Sequence, residues 1–233
     1  MTAGLAQAAN LSGYGKTIFF SGYEWRVKIA SPAVGPGPNY FSDSSNNVWV
    51  DASGRLHLRI AKAGNKWICA EIVSALSLGY GTYRFYLDTP VDNLDPNAVL
   101  GLFTWNDDPA YNNREMDIEF ARWGKASNPN GQYTVQPYTV PGNQMLFIEP
   151  AGVPQSTHSF KWLNGSVLFQ SLQGFAQAPS ATNPFIAQQL FTSSVPPAGG
   201  ENVRMNLWLF QGKTPLNRSA VEVIVNRFEF VSP

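Results

Sequence analysis

Arg114-Glu115-Met116-Asp117-Ile118-Glu119-Phe120 sets three carboxylates on alternate residues, with apolar side chains between them. A period of two belongs to a β-strand, so the acids share one face and Met116, Ile118 and Phe120 the other. An ordinary half-buried strand with its charged side in water shows the same alternation. The sign of the charges argues for more, because same-face residues lie about 6.6 Å apart and three like charges so placed repel. Glu115 and Glu119, with α-carbons about 13 Å apart, can lean together on a concavely curved strand. They would then approach the ~5–5.5 Å carboxyl separation at which one carboxylate attacks an acetal carbon and the other protonates the leaving oxygen. Crowded carboxylates do not all ionise, so one keeps its proton near neutral pH, a general acid beside an ionised nucleophile.

The rest of the chain reads as short strands that could hold such a face. Lys16 to Phe20 is a first strand, and Val48–Val50 with Arg55–Ala61 forms a hairpin about Asp51-Ala52-Ser53-Gly54. Further strands are expected over 67–74, 81–87, 99–105, 133–140, 145–148, 156–162, 166–172, 203–210 and 221–230. A short helix is expected over Pro184 to Leu190. Ser31 to Asn47, with Gly35-Pro36-Gly37-Pro38 and a Ser/Asn-rich run, is expected to be a long irregular loop that walls a cleft. Many short strands with turn punctuation and no repeat or linker indicate one β-sandwich or barrel over 17–233, two antiparallel sheets of the jelly-roll kind. Residues 1–16 are expected to be a flexible segment. Its start, with Ala6-Gln7-Ala8, is either the stub of a removed signal peptide or simply Ala-rich.

Composition narrows the chemistry. The 233 residues carry a formal net charge of zero and only 14% charged residues, without the basic excess of a nucleic-acid surface. No apolar run reaches the ~20 residues needed to span a bilayer. One cysteine, Cys69, forbids an intrachain disulfide, and two histidines, His57 and His158, are too few for a zinc centre, so no metal site is read from these residues. Seven Trp, nine Tyr and fifteen Phe exceed what a core alone requires and leave aromatic plates for the apolar faces of sugar rings.

With Glu115-Met116-Asp117-Ile118-Glu119-Phe120 in view, the chain resembles glycoside hydrolase family 16, in the lichenase and xyloglucan transglycosylase branch with its E-x-D-x-E form. Cys69-Ala70-Glu71 with Ser74 and Gly79-Tyr80-Gly81, Phe103-Thr104-Trp105, Phe160-Lys161-Trp162 and Met205-Asn206-Leu207-Trp208 resemble lichenase stretches in the same order, over residues 45–230. The resemblance implies a concanavalin A-like jelly roll with a sugar cleft on its concave sheet. It implies Glu115 as nucleophile, Glu119 as acid and base, and Asp117 between them, hydrogen-bonded to the nucleophile. Glu71, Asn206 and Trp208 would contact substrate, with Phe103 and Trp105 lining the cleft. For Phe103 and Trp208, core packing is the competing reading.

Several positions depart from the lichenase pattern. Val73 stands where an arginine is usual and Asn113 where a tryptophan is. Ala121-Arg122-Trp123-Gly124 replaces Leu-Gly, offering Trp123 as a substitute plate, and Gln136-Pro137-Tyr138 loosely follows Gln-Phe-Asn, keeping Gln136 and Tyr138 as substrate contacts. Ile224 replaces an aspartate that helps to hold calcium, which argues against that ion, and no cofactor is required. The expectation is an endo-acting, retaining hydrolase of a β-linked polysaccharide of glucan or galactan type, secreted or periplasmic and monomeric, without nucleic-acid or membrane partners. A transglycosylase, a non-catalytic carbohydrate-binding sandwich and a purely structural sandwich are the alternatives.

Overall fold

The computed structural model, which describes residues 13–233, has seventeen strands among them, some alternating in burial and others, such as β9 and β16, buried on both faces; the signal-peptide question at residues 1–9 lies outside them. In chain order they are β1 (Tyr14–Phe20), β2 (Tyr23–Lys28), β3 (Ala30–Val34), β4 (Asn39–Phe41), β5 (Val48–Val50), β6 (Leu56–Ala63), β7 (Lys66–Ser74), β8 (Gly81–Leu87) and β9 (Ala98–Trp105). Then come β10 (Met116–Ala121), β11 (Gly131–Val135), β12 (Gln144–Phe147), β13 (Ser156–Leu163), β14 (Ser166–Gln173), β15 (Phe185–Phe191), β16 (Asn202–Leu209) and β17 (Val221–Val231).

Pairing resolves these into two antiparallel sheets. One runs β1-β2-β7-β16-β9-β10-β11-β12. The other runs β5-β6-β17-β8-β13-β14-β15. The end of β6 turns into β7 and links them, while β4 adds to β7 in parallel. This is the jelly-roll sandwich expected. Met116, Ile118 and Phe120 face the second sheet and are fully buried. Tyr133 stacks on Phe169 of the opposite sheet at 5.1 Å, and Phe120 meets His158 edge-on at 4.6 Å. His158 is buried between the hydroxyls of Ser156 and Ser171, each 2.7 Å from a ring nitrogen. Burial pushes its pKa down to about 3, so it is neutral in the core.

Four expectations need correction. Phe185–Phe191 is a strand, not a helix: it pairs with β14 along the sheet edge. Its buried residues, Ala187 and Phe191, are four apart, a spacing that one face of a helix and one face of a strand both satisfy. The 31–47 stretch is not wholly irregular, since β3 and β4 lie in it. The strand from Tyr133 ends at Val135, because Pro137 has no N–H to give the ladder and Val140 turns back onto its carbonyl at 3.1 Å. Finally, β1 begins at Tyr14, inside the segment expected to be flexible.

Candidate active site

Strand register builds the site. On the outer face of the first sheet, Glu71 faces Asn206, Asn206 faces Gly101, Gly101 faces Glu119, and Glu119 faces Gln132. The next row runs Val73, Arg204, Phe103, Asp117 and Thr134. Glu115 stands just before β10, at the mouth of the strand, with its carbonyl accepting from Gln136 N–H at 3.1 Å. A groove of about 730 Å³ lies over these rows. Glu115, Asp117 and Glu119 line one part of it, and Tyr14 with the Ala30–Pro36 segment walls another, as expected of that stretch.

The turn that delivers Glu115 is wound against the usual hand. Tyr111, Asn112, Asn113 and Arg114 all take φ between 50° and 60°. Left-handed backbone is costly for residues with a Cβ, and asparagine tolerates it best. Cross-links hold the turn: Asn113 Nδ2 donates to Asn106 O at 2.9 Å, Thr104 Oγ1 to Arg114 O at 2.8 Å, and Arg114 Nε to Pro197 O at 3.1 Å. Asn113, where the resemblance leads one to expect tryptophan, is thus a turn residue.

Each acid has its own surroundings. Asp117 is buried, and Gln136 Nε2 donates to its Oδ2 at 3.1 Å. Gln132 Nε2 donates to Glu119 Oε2 at 2.6 Å. Burial first, and the charge of Glu119 second, push the Glu115 carboxyl up to about 8, while Asp117 and the Arg204 guanidinium pull the other way. Burial and the charge of Glu115 hold Asp117 well above the carboxylate range, and burial and the charge of Asp117 do the same for Glu119. Of the three, Glu115 is the one whose charge a cation stabilises. It is therefore suited to carry the negative charge, and Glu119 to carry the proton.

Beside the acids lies an ionic cluster whose inner members, Glu71 and Arg204, are buried. Lys28 Nζ donates to Glu71 Oε2 at 2.9 Å, and Arg204 donates to Tyr14 Oη at 2.9 Å, Asp107 Oδ1 at 3.2 Å and Glu71 Oε1 at 3.5 Å. Trp105 Nε1 also donates to Asp107 Oδ1, at 3.1 Å, which fixes the indole at the groove edge. Asn206 lies against bare backbone, because a Cβ on Gly101 would come within 2.5 Å of its Oδ1.

Of the residues singled out from sequence, Glu71, Phe103, Trp105, Asn206 and Trp208 line the groove with the three acids. Phe103 and Trp208 are also largely buried, so floor and core meet in the same rings. Trp123, Gln136 and Tyr138 do not line it. Trp123 packs edge-on against Trp208 and Phe210, Gln136 sits beside Asp117, and Tyr138 is 61% exposed beyond β11. Sequence reasoning missed Arg204, which faces the vacant-arginine position Val73 across the β7–β16 pair. The alternation Arg204, Asn206, Trp208 on one strand face is the signal that would have found it.

At the position where the resemblance places a calcium-holding aspartate, Ile224 brings no side-chain oxygen, and its carbonyl already accepts from Asp88 N–H at 2.9 Å. The position does not fit the ion. Cys69 is free and buried, which pushes its thiol up to about 12.

No family model and no curated protein matches the sequence. Solved structures do match. A Bacillus licheniformis β-glucanase superposes with a TM-score of 0.67 at 18% identity, covering 94% of this chain and 99% of its own. A β-1,3-1,4-glucanase (lichenase) from a mouse hindgut metagenome gives 0.63 at 14%, covering 91% and 94%. A Mycobacterium tuberculosis protein described as an immunostimulatory antigen and pseudo β-1,3-glucanase gives 0.64 at 18%, covering 90% and 91%. The chain therefore has the jelly-roll fold of β-glucanases and other glycosyl hydrolase proteins.

Proposed function

We propose that this protein is a retaining, endo-acting glycoside hydrolase of family 16 type that cleaves a neutral β-linked glucan. The observation that carries the reading is the alternation of Glu115, Asp117 and Glu119 along one strand mouth and strand, inside a groove that Arg204 also lines, with an amide bonded to the last. Glu115 attacks the anomeric carbon to form a glycosyl-enzyme. Glu119 protonates the departing oxygen, then takes a proton from the incoming water. Asp117, buried between them, keeps the charge of the triad low and so favours one ionised and one protonated glutamate.

Charge supports a neutral substrate. With one acid of the triad ionised, that charge and those of Glu71 and Asp107 outnumber Lys28 and Arg204 in the groove by one, and both bases are already paired with Glu71 or Asp107. A sulfated or uronic-acid polymer would meet net repulsion there. A polymeric substrate places the work outside the cytoplasm, in a secreted or periplasmic setting. The test is Glu115→Gln against a panel of neutral β-glucans. Reducing-end release should vanish while oligosaccharide binding and fold persist. Undiminished turnover would remove Glu115 as nucleophile, and a wild type that binds but cleaves no glycan in the panel would make the protein a carbohydrate-binding module.

A further inference from the structure

Gln132 is buried on β11 directly across from Glu119, and its amide is the hydrogen-bonding partner of Glu119 Oε2 at 2.6 Å. A carboxamide can face a neighbour with either its NH2 or its oxygen, so something must decide which end meets the acid. Thr134 Oγ1, 3.4 Å from Gln132 Nε2, cannot decide, because a hydroxyl both donates and accepts. The indole N–H of Trp123 can. It only donates, and it lies 3.0 Å from Gln132 Oε1. Turning the amide over would set NH2 against N–H and leave both donors without an acceptor in a buried place.

The consequence reaches the proton. With NH2 aimed at Oε2, that oxygen accepts, and because the carbonyl oxygen of a carboxylic acid accepts better than its hydroxyl oxygen, the acidic hydrogen of Glu119 is favoured on Oε1. Were the amide reversed, Oε2–H would donate to the glutamine oxygen, and the proton would be held away from the glycosidic oxygen. We infer that Trp123 is a positioning residue for proton donation: through Gln132 it favours the Glu119 proton on Oε1. The inference rests on Glu119 being the acid of the proposed reaction. It also gives Trp123 work that differs from the sugar plate its aromatic character suggests. Its ring backs Trp208 and Phe210 at 6.1 and 5.4 Å, and its N–H governs the acid.

Trp123→Phe keeps an aromatic ring against Trp208 and Phe210 and deletes the N–H. On a natural β-glucan, kcat should fall about tenfold, within the range that general acid catalysis contributes. On an aryl glycoside with a dinitrophenolate leaving group, which departs without protonation, the rate should stay within about twofold. Gln132→Met should show the same split, and the double variant should be no worse than Gln132→Met alone, because both act through one amide. Equal losses on the two substrates, or additive losses in the double variant, would overturn the relay. If Trp123→Phe does not fold, the leaving-group split in Gln132→Met decides alone. A wild type inactive on both substrates refutes the proposed function itself, whereas an active wild type whose variants show no split refutes only the relay.

Discussion

Replacing Glu115 with glutamine should make the protein more stable in alkali and leave it almost unchanged in acid. The Glu115 carboxyl sits at about 8 in the folded chain against an ordinary 4.5. Its folded value is raised, so its contribution to stability is full below pH 4.5, shrinks as pH rises, and is gone above about 8. Each pH unit of that interval costs about 1.4 kcal/mol, which integrates to about 5 kcal/mol at most. Partial exposure, and relaxation of Asp117 and Glu119 toward ionisation once Glu115 is neutral, cut this to about 2–3 kcal/mol. For a chain of this size that corresponds to roughly 5–10 °C in Tm. Urea unfolding of wild type and Glu115→Gln at pH 4.5 and pH 8.5 measures it. His158, pushed down to about 3, acts in the opposite sense, since its contribution is present above 6.5 and lost as pH falls; it cancels because both proteins carry it. A pH-independent difference between the two proteins, or a wild type more stable than the variant at pH 8.5, would refute the claim that burial strains this carboxylate.

Other perturbations test neighbouring parts of the site. Activity should fall on the acidic side as Glu115 gains its proton. Arg204→Met, which removes the guanidinium charge that favours ionised Glu115, should move that limb of the kcat/KM profile up by about one pH unit, while Arg204→Lys should hold it. A stationary limb in Arg204→Met would detach Arg204 from Glu115. Gly101→Ala places a methyl 2.5 Å from Asn206 Oδ1, so KM should rise about fivefold, at a stability cost of about 1–2 kcal/mol; an unchanged KM would mean that Asn206 does not touch substrate. Cys69, buried and with its thiol pushed up to about 12, should resist alkylation until the chain unfolds, as mass spectrometry after brief iodoacetamide treatment will show.

The acids were legible because strand alternation and charge crowding are local properties, and the three carboxyls indeed share one face. The same logic recovered most strands. It failed at β15, where the four-residue spacing of Ala187 and Phe191 suits two periods, and at β3 and β4, where Pro and Gly hide a local pair of short strands of which β4 joins the distant β7. Arg204 escaped because nothing within β16 says that Glu71, Asp107 and Tyr14 come to meet it. Trp123 was read as a substitute plate, and Tyr138 as a substrate contact from its place in the Gln136-Pro137-Tyr138 stretch. Their roles lie instead in hydrogen bonds: Trp123 orients Gln132, and the Tyr138 backbone N–H donates to Gln136 Oε1 at 2.9 Å and so turns that amide toward Asp117. Such second partners follow from three-dimensional neighbours, which a linear pattern does not encode.

The reversed turn over residues 111–114 bears on durability. Four consecutive residues of the unfavoured hand, at about 1–2 kcal/mol each outside asparagine, form a spring beside Glu115, the proposed nucleophile, that local cross-links restrain. Warming should loosen that clasp before the sandwich itself gives way, because releasing it relieves strain without exposing Met116, Ile118 or Phe120. Heat would then silence the catalyst some degrees below the temperature at which the sheets part, and cooling would restore it.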